Sequence, residues 1–160
     1  MSAVNVRPTE LAGALRREGE RIRAALPAAA HAASMHFAAY LAEQIDERGI
    51  TDRGILKNSI QAIRNSDGSS TTVITAPHAG IVELGARPHA VSPAAREMIK
   101  AWAMRKLGLD EAAAESASWG IAHKIATEGQ APTYVVRDSM PAAARFFGEE
   151  LVRILNARRA

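Results

Sequence analysis

Apolar positions recur with the period of an α-helix over the first third of the chain. Thr9 can cap a helix that begins after Pro8, and Gly49 can end it. Pro27 interrupts the pattern without changing its phase, as a kink or as the first turn of a second helix. We predict a helical region over residues 9–49 whose apolar face consists of Leu11, Leu15, Ile22, Leu26, Ala33, Phe37, Leu41 and Ile45.

The pattern changes to that of a β-hairpin and a connector over residues 51–91. Residues 51–60 form a turn or short helix that leads into a strand. Residues 60–64 and 71–76 are rich in β-branched side chains and flank a turn that contains Gly68. Residues 78–85 are short and apolar, which fits either helical turns or a strand, and residues 87–91 fit a short edge strand.

Two helices and a final strand–helix pair are predicted in the remaining chain. Residues 92–129 form a helical hairpin, since Ser92 and Asp110 are capping residues and Gly108 and Gly129 follow the two apolar-periodic runs. Residues 130–160 hold a strand over 133–137 and a last helix that starts at Asp138 or Ser139, just before Pro141.

The order of these elements predicts an α+β fold, because strands and helices are segregated along the chain. We expect a small antiparallel β-sheet of three to four strands, packed against the long N-terminal helix and the C-terminal helix, with the helical hairpin as an insertion. No linker-like stretch divides the 160 residues. The prediction is therefore a single domain over residues 1–160, a length that can bury one core.

Composition and charge argue against several classes of function. Basic and acidic residues number 20 and 17 and are interspersed, which argues against a dedicated nucleic-acid surface. The absence of cysteine excludes disulfides, cysteine-ligated metals and thiol catalysis. No apolar run reaches the roughly 18 residues that span a bilayer, and the N-terminal sequence lacks a signal-peptide core. We expect a soluble protein that contacts no membrane and is not exported by a standard signal.

The sequence carries no pattern that is typical of an active site. Two of the five histidines, His31 and His36, are five residues apart on the first helix and so point to different faces. No nucleophile elbow, phosphate-binding loop or dinucleotide fingerprint is present. The chain is therefore predicted to be no enzyme and to bind no metal or cofactor.

Two glycine-framed segments have an unusual local order. The first contains Gly54, Leu56 and Ser59, and the second contains Glu83 and ends in a Gly85–Arg87 stretch. They fit a helix-to-strand connector and an exposed carboxylate on an amphipathic turn. They fit equally a subunit contact in which Glu83 pairs with a basic residue of a neighbour, such as Arg87 or Arg53. The spacing leaves both interpretations open.

These two segments resemble the head–tail joining family of tailed phages, the minor tail components also called neck or tail-completion proteins. Members typically show a T-G-x-L-R-x-S-I-like stretch, a strand hairpin and a Y-A-x-(Y/I)-V-E-x-G-T-like stretch. Here residues 52–60 read D-R-G-I-L-K-N-S-I and residues 78–88 read H-A-G-I-V-E-L-G-A-R-P. The sequence departs from the family at His78, where tyrosine is usual, and at Ala86, where threonine is usual.

Later segments are similar to the family as well. Many members have a helical insertion that ends in an I-x-x-x-G-like turn, then a proline-containing strand and a last helix. Residues 125–129 read I-A-T-E-G, and residues 131–134 read A-P-T-Y. The resemblance covers about residues 30–155.

The resemblance implies a non-enzymatic structural virion protein, made in the bacterial host cytoplasm and located at the head–tail junction. It implies a ring oligomer, hexameric or twelve-fold, which has head-completion or connector, tail-terminator or tail-tube proteins as partners and makes loose contact with genomic DNA in the channel. We expect Trp102 and Trp119 in the subunit's own core, with a place at the subunit contact as the alternative.

A small nucleic-acid-binding or regulatory module is the competing interpretation. It would use the basic end of the chain, Arg158 and Arg159, and four arginines of the first helix: Arg16, Arg17, Arg21 and Arg23. The first helix also carries Glu18 and Glu20 among these arginines, which weakens a phosphate-binding surface.

Overall fold

The computed structural model describes residues 7–50 and 53–157. The elements, in chain order, are α1 (Pro8–Glu47), α2 (Ile55–Asn58), β1 (Ile60–Arg64), β2 (Ser70–Ile74), α3 (Ala79–Leu84), α4 (Pro93–Leu107), α5 (Glu111–Glu128) and α6 (Val135–Ala157). The chain divides into two compact units, and the single-domain assignment stays a prediction. Unit 1 holds the described parts of residues 1–40, 61–73 and 140–160, and unit 2 holds those of 41–60 and 74–139.

The predicted α+β class is wrong. The described chain is 71% helical, and its one sheet has only two antiparallel strands. The fold is therefore mostly α. The β-hairpin itself is confirmed as β1 and β2, but the two further strands that would have made a sheet of three or four do not form.

Residues 87–91 do not form the predicted edge strand. Ala86 makes an isolated antiparallel bridge with Gln130, and Pro88 has no N–H to continue a ladder. The next amide, that of His89, donates to the carbonyl oxygen of Ile125 near the end of α5. The segment is thus attached to a helix end and not to a sheet.

Residues 133–137 are not a strand either, because α6 begins at Val135. The predicted start at Asp138 or Ser139 is therefore also wrong. Pro141 lies inside the helix, where its missing N–H leaves the carbonyl group of Arg137 without a helical partner. The β-branched Val135 and Val136 favour a strand locally, but a tertiary contact described below fixes their backbone as helix.

The long helices follow the predicted boundaries closely. The first helical region is one helix, α1, which continues through Pro27. In α4 the Ser92 hydroxyl accepts from Ala95 N, and in α5 the Asp110 carboxylate accepts from Ala113 N, as their capping roles predict. Gly108, in the left-handed conformation, ends α4.

Unit 1 is built on small residues of α1. Ala25, Ala29, Ala33 and Phe37 are buried at four-residue spacing, which lets neighbouring segments approach the helix backbone. The turn of the β-hairpin lies against Pro27, since a Cβ at Gly68 would come within 3.2 Å of its ring. The hairpin and α1 thus pack closely where the proline interrupts the helical hydrogen bonds.

Glu150 of α6 is a buried carboxylate in unit 1. It accepts two hydrogen bonds from the Arg153 guanidinium, at 2.9 and 2.6 Å, and lies 3.6 Å from His36 Nδ1. The bond from Arg153, opposed by partial desolvation, lowers the pKa of Glu150 below its ordinary value. The buried charge is therefore paired, as burial requires.

The N-terminal half of the predicted apolar face of α1 is exposed. Leu11 and Leu15 are 52% and 65% exposed, and Ile22 and Leu26 are more than one-third exposed. The Arg21 guanidinium donates to the carbonyl oxygen of Leu155, near the described end of α6. The turns of α1 before Arg21 leave large aliphatic side chains in solvent.

Candidate functional site

Two chain segments of unit 2 are joined by backbone hydrogen bonds into what we call the junction, residues 82–86 and 129–137. Ala86 N donates to Gln130 O at 2.9 Å, and Gln130 N donates to Ala86 O at 2.8 Å. Thr133 N donates to Val82 O at 3.0 Å. The junction therefore ties α3, the predicted second segment, to the start of α6.

Glu83 caps α6. Its Oε2 accepts from Val136 N at 2.8 Å, and its Oε1 accepts from Arg137 N at 3.0 Å. These amides lie in the first turn of α6, where N–H groups have no helical partner and a negative charge is favoured. The carboxylate thus has a role within the chain. Pairing with a basic residue of a neighbouring subunit stays a prediction.

Gly85 and Gly129 hold conformations that only glycine adopts easily. Their φ and ψ angles are 74° and −175° in Gly85, and 80° and −158° in Gly129. A Cβ at Gly85 would overlap the carbonyl oxygen of Gln130, and one at Gly129 would overlap that of Ala86. Both glycines are needed because the two segments of the junction pass so close together.

The first predicted segment forms α2 and the entry to β1. Gly54 has a φ of 73° and precedes the helix, and Leu56 is buried. The Ser59 hydroxyl donates to Leu56 O at 2.7 Å, and Ser59 O accepts from Thr75 N at 3.1 Å. Each of these residues thus shapes the turn from helix to strand.

The two segments line one large groove in unit 2. The groove encloses about 1110 Å³ and is open to solvent. Its apolar wall from the helical hairpin consists of Met98, Ile99, Trp102, Ile121 and Ile125. Gly54, Ile55 and Leu56 of the first segment and His78, Ile81 and Val82 of the second complete it.

Basic side chains interrupt this apolar lining. They are Arg53, Arg105 and Lys124, all exposed. Among the residues that the structure describes, no aspartate or glutamate lines the groove. The groove therefore combines apolar surface with positive charge.

The remaining predicted residues lie at different places in unit 2. Arg87 is exposed beyond the junction, and Trp102 is half-buried in the groove wall. Trp119 is 60% exposed, so the expected core position is wrong for this residue. The Arg96 guanidinium lies 3.9 Å from its ring centroid, a cation–π contact that holds the indole on the hairpin surface.

Ion pairs tie the two helices of the hairpin together around Glu115. This carboxylate accepts from Arg96 at 2.6 Å and lies 3.2 Å from Lys100 Nζ. The hydrogen bond from Lys100, followed by that from Arg96, lowers the pKa of Glu115. Small buried residues, Ala103, Ala114, Ser118 and Ala122, lie within the two helices.

The arginines of the competing interpretation do not form one free surface. Arg21 is engaged by Glu18 and by Leu155 O, whereas Arg16, Arg17 and Arg23 are exposed. Arg158 and Arg159 lie outside the described residues. The structure therefore describes the four arginines of α1 but not the two at the end of the chain.

No group of three or more histidine, aspartate or glutamate side chains in the described residues could hold a metal ion. Among the described helices, none combines the length and hydropathy that crossing a bilayer requires.

Helical periodicity predicted two apolar runs within residues 92–129 but did not show that Met98, Trp102, Ile121 and Ile125 of these runs line an open groove. The partner of Glu83 was missed because it lies more than fifty residues further along the chain. Comparison with known proteins finds no family model, no curated protein and no solved structure with a significant match to the chain.

Proposed function

We propose that the chain is a non-enzymatic structural subunit of a tailed phage or prophage, a neck or tail-completion protein at the head–tail junction. One observation carries the proposal: the two segments that bear the resemblance line the same apolar groove of unit 2. They are about twenty residues apart in sequence, separated by the β-hairpin.

The polar groups of these segments serve the fold. Glu83 caps α6, Ser59 bonds within its own turn, and Gly85 allows a close backbone approach. A motif whose side chains are used in this way maintains a shape, and the shape here is an open apolar groove. Apolar grooves with polar residues at their edges occur at protein-interaction and ligand sites, and we assign this groove to protein binding.

Ring assembly is the second part of the proposal. A rotationally symmetric ring requires two different, complementary faces on each subunit. The chain offers exposed apolar side chains in both units, among them Leu11 and Leu15 in unit 1 and Leu84 and Trp119 in unit 2. We propose a hexameric or twelve-fold ring that contacts connector, tail-terminator or tail-tube proteins, with genomic DNA passing through its channel.

Native mass spectrometry of the purified chain, alone and co-expressed with the products of its neighbouring genes, tests the proposal. We expect a closed ring, or a defined complex with a head-completion or tail protein. Replacing the exposed Ala112 and Ala126 of α5 by arginine tests whether the hairpin takes part, with Ala144→Arg on α6 as the matched control. A chain that stays monomeric, binds none of these products and is absent from purified particles would refute the function.

A further inference from the structure

The groove of unit 2 is slightly larger than the usual small-molecule site and is more open to solvent. Small-molecule sites enclose about 300–1,000 Å³ and bury most of the ligand, whereas this groove holds about 1110 Å³ and is open to solvent. Its wall is a row of large apolar side chains, of which Met98 is 72% exposed. These dimensions fit a polypeptide segment that inserts several apolar side chains.

The charge of the groove selects among polypeptide segments. Lys124 is the lining charge on which the argument depends, and within the described chain no carboxylate lines the groove. Arg53 and Arg105 add positive charge to the lining, although Arg105 also donates to Ala101 O and Arg53 has a partner within the chain. Each added acidic group of a bound segment would meet positive charge, and each added basic group would be repelled. The lining therefore favours a segment that has acidic residues beside its apolar ones.

The chain's own exposed apolar cluster does not have this chemistry. Leu11 and Leu15 are exposed leucines in the first turns of α1. Residues 7–17 around them hold three arginines, Arg7, Arg16 and Arg17, against one acidic residue, Glu10, so the stretch is net basic. Insertion of this cluster from a second copy would bring like charges to the groove, so charge favours a different protein as the occupant.

We propose that the groove binds an apolar segment flanked by aspartate or glutamate, presented by another protein. The inference rests on the proposed function, because a neck subunit must hold a neighbouring virion protein. The apolar wall of α4 and α5 supplies the contact area. The three basic residues set the orientation and exclude basic segments.

Selection from a display library of random peptides of about 16 residues, four to five helical turns long, tests this on the full chain. Groove binders are the peptides that lose binding to Met98→Asp but keep it to Met104→Asp. Both methionines are exposed residues of α4, and only Met98 lines the groove. Substitution of an exposed residue should leave the fold intact, which circular dichroism can verify.

The groove binders are expected to carry net negative charge beside at least a pair of large apolar residues. Lys124→Glu should raise their Kd about tenfold, whereas Lys106→Glu, on the same hairpin but outside the groove, should not. Neutral or basic groove binders, no groove binders at all, or an unchanged Kd in Lys124→Glu would overturn the inference. Binders that match α1, together with a dimer that Met98→Asp abolishes, would identify a second copy as occupant and overturn it too.

Incorporation into particles separates this inference from the function on which it rests. If the chain is a component of purified phage particles but binds no acidic peptide, only the assignment of the groove fails. If it binds acidic peptides and is absent from particles, the virion function fails and the groove chemistry stands.

Discussion

The carboxylate of Glu83 holds two amides of α6 that the helix itself leaves without partners. We predict that Glu83→Ala lowers the free energy of unfolding by about 2 kcal/mol, since loss of a helix cap costs about 0.5–2 kcal/mol and bonds to a charged group are at the strong end. Glu83→Gln should lose less, because its amide oxygen still accepts. Urea unfolding measures both.

Glu43, an exposed glutamate of α1, is the control for the Glu83 variants. Glu43→Ala should change the unfolding free energy by less than about 0.5 kcal/mol. Equal effects at the two positions would show that the cap contributes nothing beyond an ordinary surface charge.

Two glycines of unit 2 should respond to alanine in opposite directions. Gly85→Ala is expected to destabilise the protein by about 2 kcal/mol or more, because its backbone conformation is strained for any side chain and a Cβ would overlap Gln130 O. Gly120 lies within α5 with nothing near its Cβ position, so Gly120→Ala should stabilise by about 0.5–1 kcal/mol. Thermal unfolding of both variants checks the sign, and a tolerated Gly85→Ala would contradict the close approach.

The type of a residue predicted its structural role correctly where the groups that it contacts are close to it in sequence. Gly108 and Asp110 act within a few residues of their own positions, and their roles were predicted correctly. Glu83 binds amides on a segment more than fifty residues away. No local pattern contains that information, so the sequence left its role open between a solvated charge and a subunit contact.

The helix α1 has one apolar stripe in sequence but two environments in the structure. Leu41 is 1% exposed and Leu15 is 65% exposed. Leu41→Ala should therefore cost about 2–5 kcal/mol, and Leu15→Ala less than about 0.5 kcal/mol. Equilibrium unfolding in urea compares the same chemical change at both positions. A large loss in Leu15→Ala would mean that the first turns of α1 are packed in the free protein.

Elements were predicted well where period and caps agree, as in α1, α4 and α5. Elements were predicted wrongly where β-branched residues are adjacent to a contact with a residue that is distant in sequence. Val135 and Val136 favour a strand by propensity, yet the carboxylate of Glu83 accepts from Val136 N and Arg137 N, which lie in the first turn of a helix. This accounts for one of the two missing strands of the α+β prediction, and the other, residues 87–91, is interrupted by Pro88 and attached to the end of α5 through His89 N.

The sequence indicated only some of the residues that line the candidate groove. The two glycine-framed segments were singled out as unusual, and both contribute to its wall. The helical residues of the wall, such as Ile99 and Ile121, have the same spacing as buried core residues. Whether such a face is covered depends on the packing of several elements in three dimensions, which periodicity does not encode.

Charge across the whole molecule decides between the proposed function and the nucleic-acid alternative. The formal net charge is +3, and several basic side chains are paired, as Arg48 is with Asp138 and Arg153 with Glu150. We predict only non-specific binding to duplex DNA, with a Kd of roughly 10⁻⁴–10⁻⁶ M at physiological salt. Fluorescence anisotropy with a labelled duplex between about 50 and 200 mM salt measures this.

A double variant, Arg16→Glu with Arg17→Glu, should change this weak binding little if contacts are spread over the surface. Submicromolar affinity that falls steeply with salt and is lost in the double variant would instead locate a phosphate-binding surface on α1, and would favour the nucleic-acid module. A protein through whose ring DNA must move needs the weaker behaviour, because tight binding to phosphates at many subunits would hold the DNA in the channel.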